Sequence, residues 1–112
     1  MPKLIETKTV RLTGVYELDG TLFESWRDVY LGLEGLLCIY ESERFAPGRK
    51  FFYFYPNEPE EYYQKYLRTS VGDVTVEGNK MIIESNHRYE FEVGDFFSEI
   101  DLKMLMLNVF LI

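Results

Sequence analysis

Histidine and cysteine, two side chains often used in catalysis at neutral pH, are scarce in this sequence. His87 is the only histidine and Cys38 the only cysteine among the 112 residues. Catalysis by His87 needs a nucleophile or a base partner beside it, and nothing in the spacing of Ser85 and Ser98 is diagnostic. An enzyme that uses a carboxylate with a tyrosine or with His87 needs a cleft that holds a titrating group of perturbed pKa. His87 falls in a predicted turn, and Cys38 lies in an apolar strand as a small core residue. No catalytic residue is assigned, and a non-enzymatic protein is favoured.

Asp95, Glu99 and Asp101 supply oxygen atoms of the kind that hard cations prefer. Their segment lacks the glycine and the regular run of ligands that form a calcium loop. Acidic residues at the start of a helix explain the pattern more simply, because they interact favourably with the helix dipole. No phosphate-binding glycine loop, zinc pattern or catalytic triad signature is present. The sequence therefore predicts no metal and no cofactor.

The clearest surface feature is an acidic strand face. The formal net charge is −7, and the chain from Asp73 onward holds eight acids and three bases. This charge disfavours direct binding to nucleic acid and suits a protein partner with a basic surface. A solvated face that keeps the protein soluble is the simpler interpretation. The residues predicted for partner binding are Glu77, Glu84, Glu90 and Glu92.

A basic and aromatic segment runs from Gly48 to Tyr55, with the sequence GRKFFYFY. It resembles loosely the basic and aromatic strand of RNA-binding sheets. The small-residue positions of that motif are missing, however, and the net negative charge argues against RNA. A core strand preceded by basic residues that discourage aggregation is favoured instead.

The elements that position these residues are clearest between Val71 and Val93, where the pattern predicts three short strands. Gly78-Asn79 is a two-residue turn, since both residues tolerate positive φ. This turn places Glu77 opposite Lys80, a cross-strand pair of opposite charge. The predicted apolar face of the three strands is Val74, Val76, Met81, Ile83, Tyr89, Phe91 and Val93.

The length of the second loop follows from the alternation. A two-residue loop would put Glu90 and Glu92 on the apolar face, whereas a three-residue loop over 85–87 keeps them on the charged face. Because a slip of one residue exchanges the faces, the odd loop is predicted. We expect a left-handed residue at Asn86 or His87.

Three more strands are predicted, over Lys8–Leu18, Leu33–Ser42 and Phe51–Tyr55. The second is apolar on both faces, which indicates a central strand covered on both sides. Residues 22–33 fit a helix or a returning strand. Asp19-Gly20, a strong hairpin signal, favours the strand.

The strongest helix signal lies near 58–68, where Asn57 is a suitable N-cap and Glu60 its capping-box partner. At the C-terminus, Ser98 is suited to cap a helix over 99–104, and Met104–Ile112 either completes that helix or forms a buried strand. Such an apolar strand at a sheet edge would promote aggregation, so burial in the core or in a homodimer is expected. The residues predicted for that interface are Leu105, Leu107, Val109 and Phe110.

These elements predict a single domain over 1–112 of the α+β class. It is mainly an antiparallel sheet of six or seven strands, with a partly closed barrel as an alternative, and carries one clear helix near 58–68. No signal peptide is visible and the C-terminal apolar run is too short to cross a bilayer, so a cytoplasmic protein is predicted.

The predicted function is a small acidic module that binds or inhibits a protein through its acidic face. Two alternatives stay open. One is a carrier of a small apolar ligand inside an aromatic-lined barrel. The other is a subunit of a larger assembly that uses the apolar C-terminal run.

Overall fold

The fold is described from a computed structural model, which describes residues 3–23, 30–42, 49–57, 66–69 and 71–110. These residues form one sheet and one helix. The elements are β1 Lys3–Tyr16, β2 Glu34–Glu41, β3 Lys50–Pro56, β4 Leu67–Arg68, β5 Asp73–Glu77, β6 Lys80–Glu84, β7 Arg88–Val93 and α1 Glu99–Phe110.

The seven strands form a single antiparallel sheet in the order β4-β3-β2-β1-β7-β6-β5. This confirms the predicted α+β class with an antiparallel sheet of six or seven strands. The sheet is open, because its edge strands β4 and β5 do not pair with each other. β4 and β5 are nevertheless consecutive in the chain, so a short connection links the two edges.

Contacts across the inner face show that the sheet is strongly curled. β3 and β7 are separated by two strands, which corresponds to about 14 Å in a flat sheet. The ring of Phe52 nevertheless lies only 5.4 Å from that of Tyr89 and 5.3 Å from that of Phe91. Near the gap between the edge strands β4 and β5, which we call the seam, the Gly72 N–H donates a hydrogen bond to the Lys50 carbonyl at 2.7 Å.

The concave inner face holds the main core, which comes from alternate residues of nearly every strand. This burial of aliphatic and aromatic side chains is the principal stabilising term of the fold. The buried members are Val10, Leu12, Val15, Tyr30, Leu37, Ile39, Phe52, Phe54, Leu67, Met81, Ile83, Tyr89 and Phe91.

The meander β5–β7 has the predicted register: Glu77 opposes Lys80, and the three-residue loop places Glu84 opposite Arg88. The prediction of a left-handed residue at Asn86 or His87 is wrong, because positive φ in the described residues occurs only at glycines. The loop instead closes with a hydrogen bond from the Ser85 N–H to the His87 carbonyl at 3.0 Å.

β2 is central and buried on both faces, as its two apolar faces predicted. β1 is longer than predicted at its start, beginning at Lys3 rather than Lys8. The turn at Asp19-Gly20 is also present, with Gly20 at φ 93° and a bridge between Tyr16 and Leu22.

The predicted helix near 58–68 is corrected at its end. Leu67–Arg68 form β4, because Leu67 is fully buried in the inner core and pairs with Phe54. Tertiary burial overrides helix propensity here. Residues 58–65 lie outside the described residues, as do residues 24–29 of the ambiguous segment 22–33.

The C-terminal segment is a helix. The Asp101 N–H donates to the Ser98 hydroxyl oxygen at 3.1 Å, so Ser98 caps α1 as predicted. Side chains of α1 are described as far as Leu107. No helix among the described residues is long and apolar enough to cross a membrane.

Candidate functional site

The candidate site lies on the convex outer face of the sheet, toward which every second aromatic ring of β3 points. Phe52 and Phe54 point into the inner core and are fully buried. Their neighbours point outward, beside rings from β2 and from the residue before β4. We call this cluster the aromatic platform. It consists of Tyr40, Phe51, Tyr53, Tyr55 and Tyr66.

The rings of the aromatic platform are held by one another. Tyr53 is at the centre, stacked on Tyr66 with centroids 5.1 Å apart and planes 18° apart. Tyr40 stacks on Phe51 at 5.5 Å and meets Tyr53 edge to face at 5.6 Å. Four of the rings are half-buried, and Tyr66 is exposed. Mutual stacking of this kind contributes beyond simple area burial and fixes the ring positions.

Polar groups at the aromatic platform are chiefly hydrogen-bond donors. The Arg68 guanidinium carbon lies 5.6 Å from the centroid of the Tyr53 ring, within cation–π range. Burial raises the pKa of the Tyr55 and Tyr40 hydroxyls above the usual value for tyrosine. Phenols are protonated at neutral pH, and the raised pKa keeps these two protonated further into the alkaline range, so both present O–H donors.

Helix α1 covers the outer face beside the aromatic platform. Leu105 is buried against Leu36 and Cys38 of β2, and Tyr40 and Tyr55 border this contact. Burial raises the pKa of the Cys38 thiol to about 12. Cys38 is thus a buried core residue, as predicted, and a poor nucleophile at neutral pH.

The opposite side of α1 carries exposed apolar side chains, which the described residues leave uncovered. Ile100 is 74% exposed, Met104 56% and Leu107 47%, and together we call them the α1 stripe. Of the predicted interface residues, Leu107 lies on the α1 stripe and Leu105 faces the sheet. Val109 and Phe110 belong to α1, and their side chains lie outside the described residues.

The predicted acidic face lies on the outer side of β5, β6 and β7, and bases lie among its acids. The Glu90 carboxylate pairs with the Lys80 ammonium and with the Arg88 guanidinium, each at 2.9 Å. Glu92 lies 3.9 Å from Arg11, which also contacts Glu34 at 3.0 Å. The remaining predicted residues are Glu77, which is exposed, and Glu84, which is half-buried.

A shallow cleft of about 470 Å³ opens in this charged region. Tyr16 lines this cleft, and its ring packs over Gly14 where β1 bulges, since a Cβ on Gly14 would overlap that ring. The polar lining of the cleft includes Thr13, Lys80 and Glu90. A second cleft of about 400 Å³ separates α1 from β1.

The residues considered for catalysis or metal binding are not brought together. His87 stacks on Phe23 with centroids 3.9 Å apart, and its Nε2 lies 4.0 Å from Glu17. Its imidazole is therefore half-buried rather than free in the turn. Glu99 faces Lys103 at 3.8 Å. Among the described residues, no three metal-ligating side chains converge on one point.

Comparison with protein-family models, with curated proteins and with solved structures found no match. The fold and site of this chain must therefore be interpreted from its own residues. The aromatic platform was missed by the sequence interpretation, which treated residues 51–55 as a core strand. A signal was present, because the hydroxyl-bearing rings Tyr53 and Tyr55 alternate with Phe52 and Phe54.

Proposed function

We propose that this protein is a non-enzymatic protein-binding module and that the aromatic platform is its contact surface. The observation that carries the proposal is a cluster of five ordered rings on the outer sheet face, with Arg68 beside Tyr53. Tyrosine and arginine are enriched among the residues that dominate binding energy at protein interfaces. Rings that are already fixed by stacking lose little side-chain entropy when a partner binds.

The predicted acidic face supports the same function in a different role. Lys80, Arg88 and Arg11 partly neutralise Glu90 and Glu92, so this region is less acidic than the sequence alone indicates. The whole chain still carries a net charge of −7. A field of this sign speeds the approach of a partner with a basic surface. We therefore propose that the partner has a basic surface and that it binds this protein at the aromatic platform.

A quantitative co-purification tests the assignment. Tagged wild type, Tyr53→Ala and the double variant Glu77→Lys with Glu84→Lys are expressed in the cells that naturally contain the protein, and recovered partners are measured by mass spectrometry. We expect Tyr53→Ala to reduce recovery of the main partner by about tenfold, the loss typical of an interface hot spot. The double charge variant should reduce recovery less, and chiefly at low salt.

Thr75→Ala is the matched control, because Thr75 is an exposed residue on β5 that is not part of the aromatic platform. Thermal melting of each variant separates loss of binding from loss of folding. If Tyr53→Ala is folded and recovers as much of the partner as wild type does, the result contradicts the proposal. If only the double charge variant loses recovery of the partner, the acidic face is the contact surface and the aromatic platform is not.

The α1 stripe favours a second candidate function, a subunit of a larger assembly. A helix that is apolar on both sides is usually buried on both sides, and exposed apolar patches commonly mark interaction surfaces.

The inner face of the sheet does not support the alternative of a ligand carrier, because Phe52, Tyr89 and Phe91 pack against one another there. Our proposal retains the cytoplasmic location expected from the sequence.

A further inference from the structure

We infer that the cleft between α1 and β1, which we call the α1 cleft, binds a lysine or arginine side chain of the protein partner. This inference rests on the proposed function, which gives the partner a basic surface, and it names the place where one basic residue of that surface is held. The α1 cleft has a volume of about 400 Å³, which is typical of sites that hold small ligands. Its apolar walls, its charge and its position relative to the aromatic platform each support this occupant.

The walls of the α1 cleft are apolar and come from both the sheet and the helix. Leu36 of β2 is 2% exposed, and Val93 of β7 is half-buried. Leu102 and Met106 lie one turn apart on α1, and both line the cleft. An aliphatic chain that covers such a surface is stabilised because apolar area is removed from water, and methionine adapts its shape to what it contacts. These walls therefore suit the methylene stem of a long side chain.

The charge of the α1 cleft that has no partner within the chain is negative. The Thr9 hydroxyl donates a hydrogen bond to the Gly94 carbonyl, and the Lys8 ammonium lies 2.9 Å from a Glu6 carboxylate oxygen. The carboxylate of Asp95 also lines the cleft and is exposed to solvent. Within the part of the chain that the structure describes, Asp95 has neither an ion pair nor a hydrogen bond through its side chain. The α1 cleft therefore attracts a cation.

A lysine or arginine side chain combines an apolar stem with a positive charge, as these walls and this carboxylate require. Both side chains bury the stem along apolar surface while the charged end stays in contact with water. The stem would lie on Leu102 and Met106, and the ammonium or guanidinium would pair with Asp95. An acidic side chain would be repelled by that carboxylate, and a purely apolar one would gain nothing from it.

The α1 cleft lies where a partner on the aromatic platform can reach it. Leu36 lines the cleft and also contacts Leu105 in the cluster beside the aromatic platform. Because β1 and β3 flank β2 in the sheet, the α1 cleft and the aromatic platform lie on opposite sides of α1. Asp95 gives a basic partner an acidic contact that the aromatic platform, with Arg68 beside it, does not supply. We therefore assign the occupant to the partner rather than to a free small cation.

A titration followed through the methyl NMR signals of Leu102 and Met106 tests this inference. The probes are capped glycine peptides that carry one central arginine, one citrulline, or an arginine homologue whose stem is shorter by two methylenes. The arginine peptide should shift both signals in a saturable way. The citrulline peptide has the same shape without the charge and should bind about threefold more weakly, the loss expected for an ion pair open to solvent. The short homologue should bind about fivefold more weakly, because its stem covers less of the apolar walls.

Asp95→Asn is the test variant, and Asp101→Asn is its matched control, because Asp101 is an exposed acid of α1 that does not line the cleft. Asp95→Asn should weaken binding of the arginine peptide about threefold and leave binding of the citrulline peptide unchanged. Asp101→Asn should change neither. In the co-purification, Asp95→Asn should also reduce recovery of the main partner, whereas Asp101→Asn should not.

The outcomes separate this inference from the function on which it rests. Equal binding of the arginine and citrulline peptides, or equal binding of the arginine peptide to wild type and Asp95→Asn, overturns the inference. If Tyr53→Ala loses the partner and Asp95→Asn recovers it fully, the protein-binding module stands and the inference is wrong. If the peptides and Asp95→Asn behave as expected but Tyr53→Ala recovers the partner fully, the α1 cleft is a contact site and the aromatic platform is not.

Discussion

Glu90 gives the sharpest test of how the charged region works. Its side chain is only 13% exposed and bonds to Lys80 through one carboxylate oxygen and to Arg88 through the other. Replacing Glu90 by Gln keeps the shape and removes the charge, which leaves two cations without their shared partner. The sequence interpretation made Glu90 a partner-binding residue, whereas these contacts predict that it stabilises the sheet.

The magnitude follows from the exposure of the three side chains. A hydrogen bond to a charged group contributes about 1.5–3 kcal/mol when buried, and an exposed ion pair about 0.2–1 kcal/mol. Lys80 is 45% exposed and Arg88 31%, so solvent screening brings each pair toward the lower range. We expect Glu90→Gln to lower the free energy of unfolding by about 1–2 kcal/mol in total, or the Tm by roughly 4–10 °C.

Urea unfolding at low salt and at high salt measures this loss. Glu77→Gln is the control, because it makes the same charge change at an exposed site, and it should alter stability by less than about 0.5 kcal/mol. The difference between the variants should shrink at high salt without vanishing. Equal stability of the two variants would refute the reasoning. Reduced partner recovery with unchanged stability would make Glu90 a contact residue, as the sequence predicted.

Three further perturbations probe the seam, the core thiol and the helix. Gly72→Ala should lower the free energy of unfolding by about 1–3 kcal/mol, because its Cβ would lie 2.2 Å from a carbonyl oxygen of β6. Gly94→Ala should lower it less in the same urea assay, because its Cβ would meet the ring of Phe96, which can shift. Cys38 has a raised pKa of about 12, against 9.0 for a free thiol. The stability gained by burying the neutral thiol should therefore be complete below pH 9 and be lost as pH rises toward 12. Cys38→Ala should reduce this fall of stability with pH, which thermal melts at a series of pH values measure. If the α1 stripe pairs two copies, sedimentation should show a dimer that Leu107→Glu dissociates and Lys103→Glu leaves intact; a wild-type monomer at all concentrations makes the homodimer prediction wrong.

The sheet was predictable where alternation and turn chemistry agree. In the meander from Asp73 to Val93, a wrong loop length would have placed Glu90 and Glu92 in the core, so a single register satisfied the pattern. The burial of both faces of β2 followed in the same way from its two apolar sides. Ser98 was found as a cap because serine before acidic residues is a local signal.

Long-range features were not predictable in this way. Leu67 carries a helical pattern locally, yet the buried position beside Phe54 places it in β4. The aromatic platform depends on curling and on rings from three separate segments, and no local pattern records that Tyr40, Tyr53 and Tyr66 meet. The neutralisation of Glu92 likewise depends on Arg11, which is distant in sequence and adjacent in the sheet.

Site-specific photo-crosslinking from the aromatic platform tests the central claim most directly. Phe51 is replaced by p-benzoylphenylalanine, which conserves an aromatic ring at a half-buried position, and Thr75 is replaced in the same way as the control. In the cells that naturally contain the protein, illumination should link a single partner protein through position 51 and not through position 75. The same partner linked equally through position 75, or none through position 51, contradicts the claim that the aromatic platform is the binding surface.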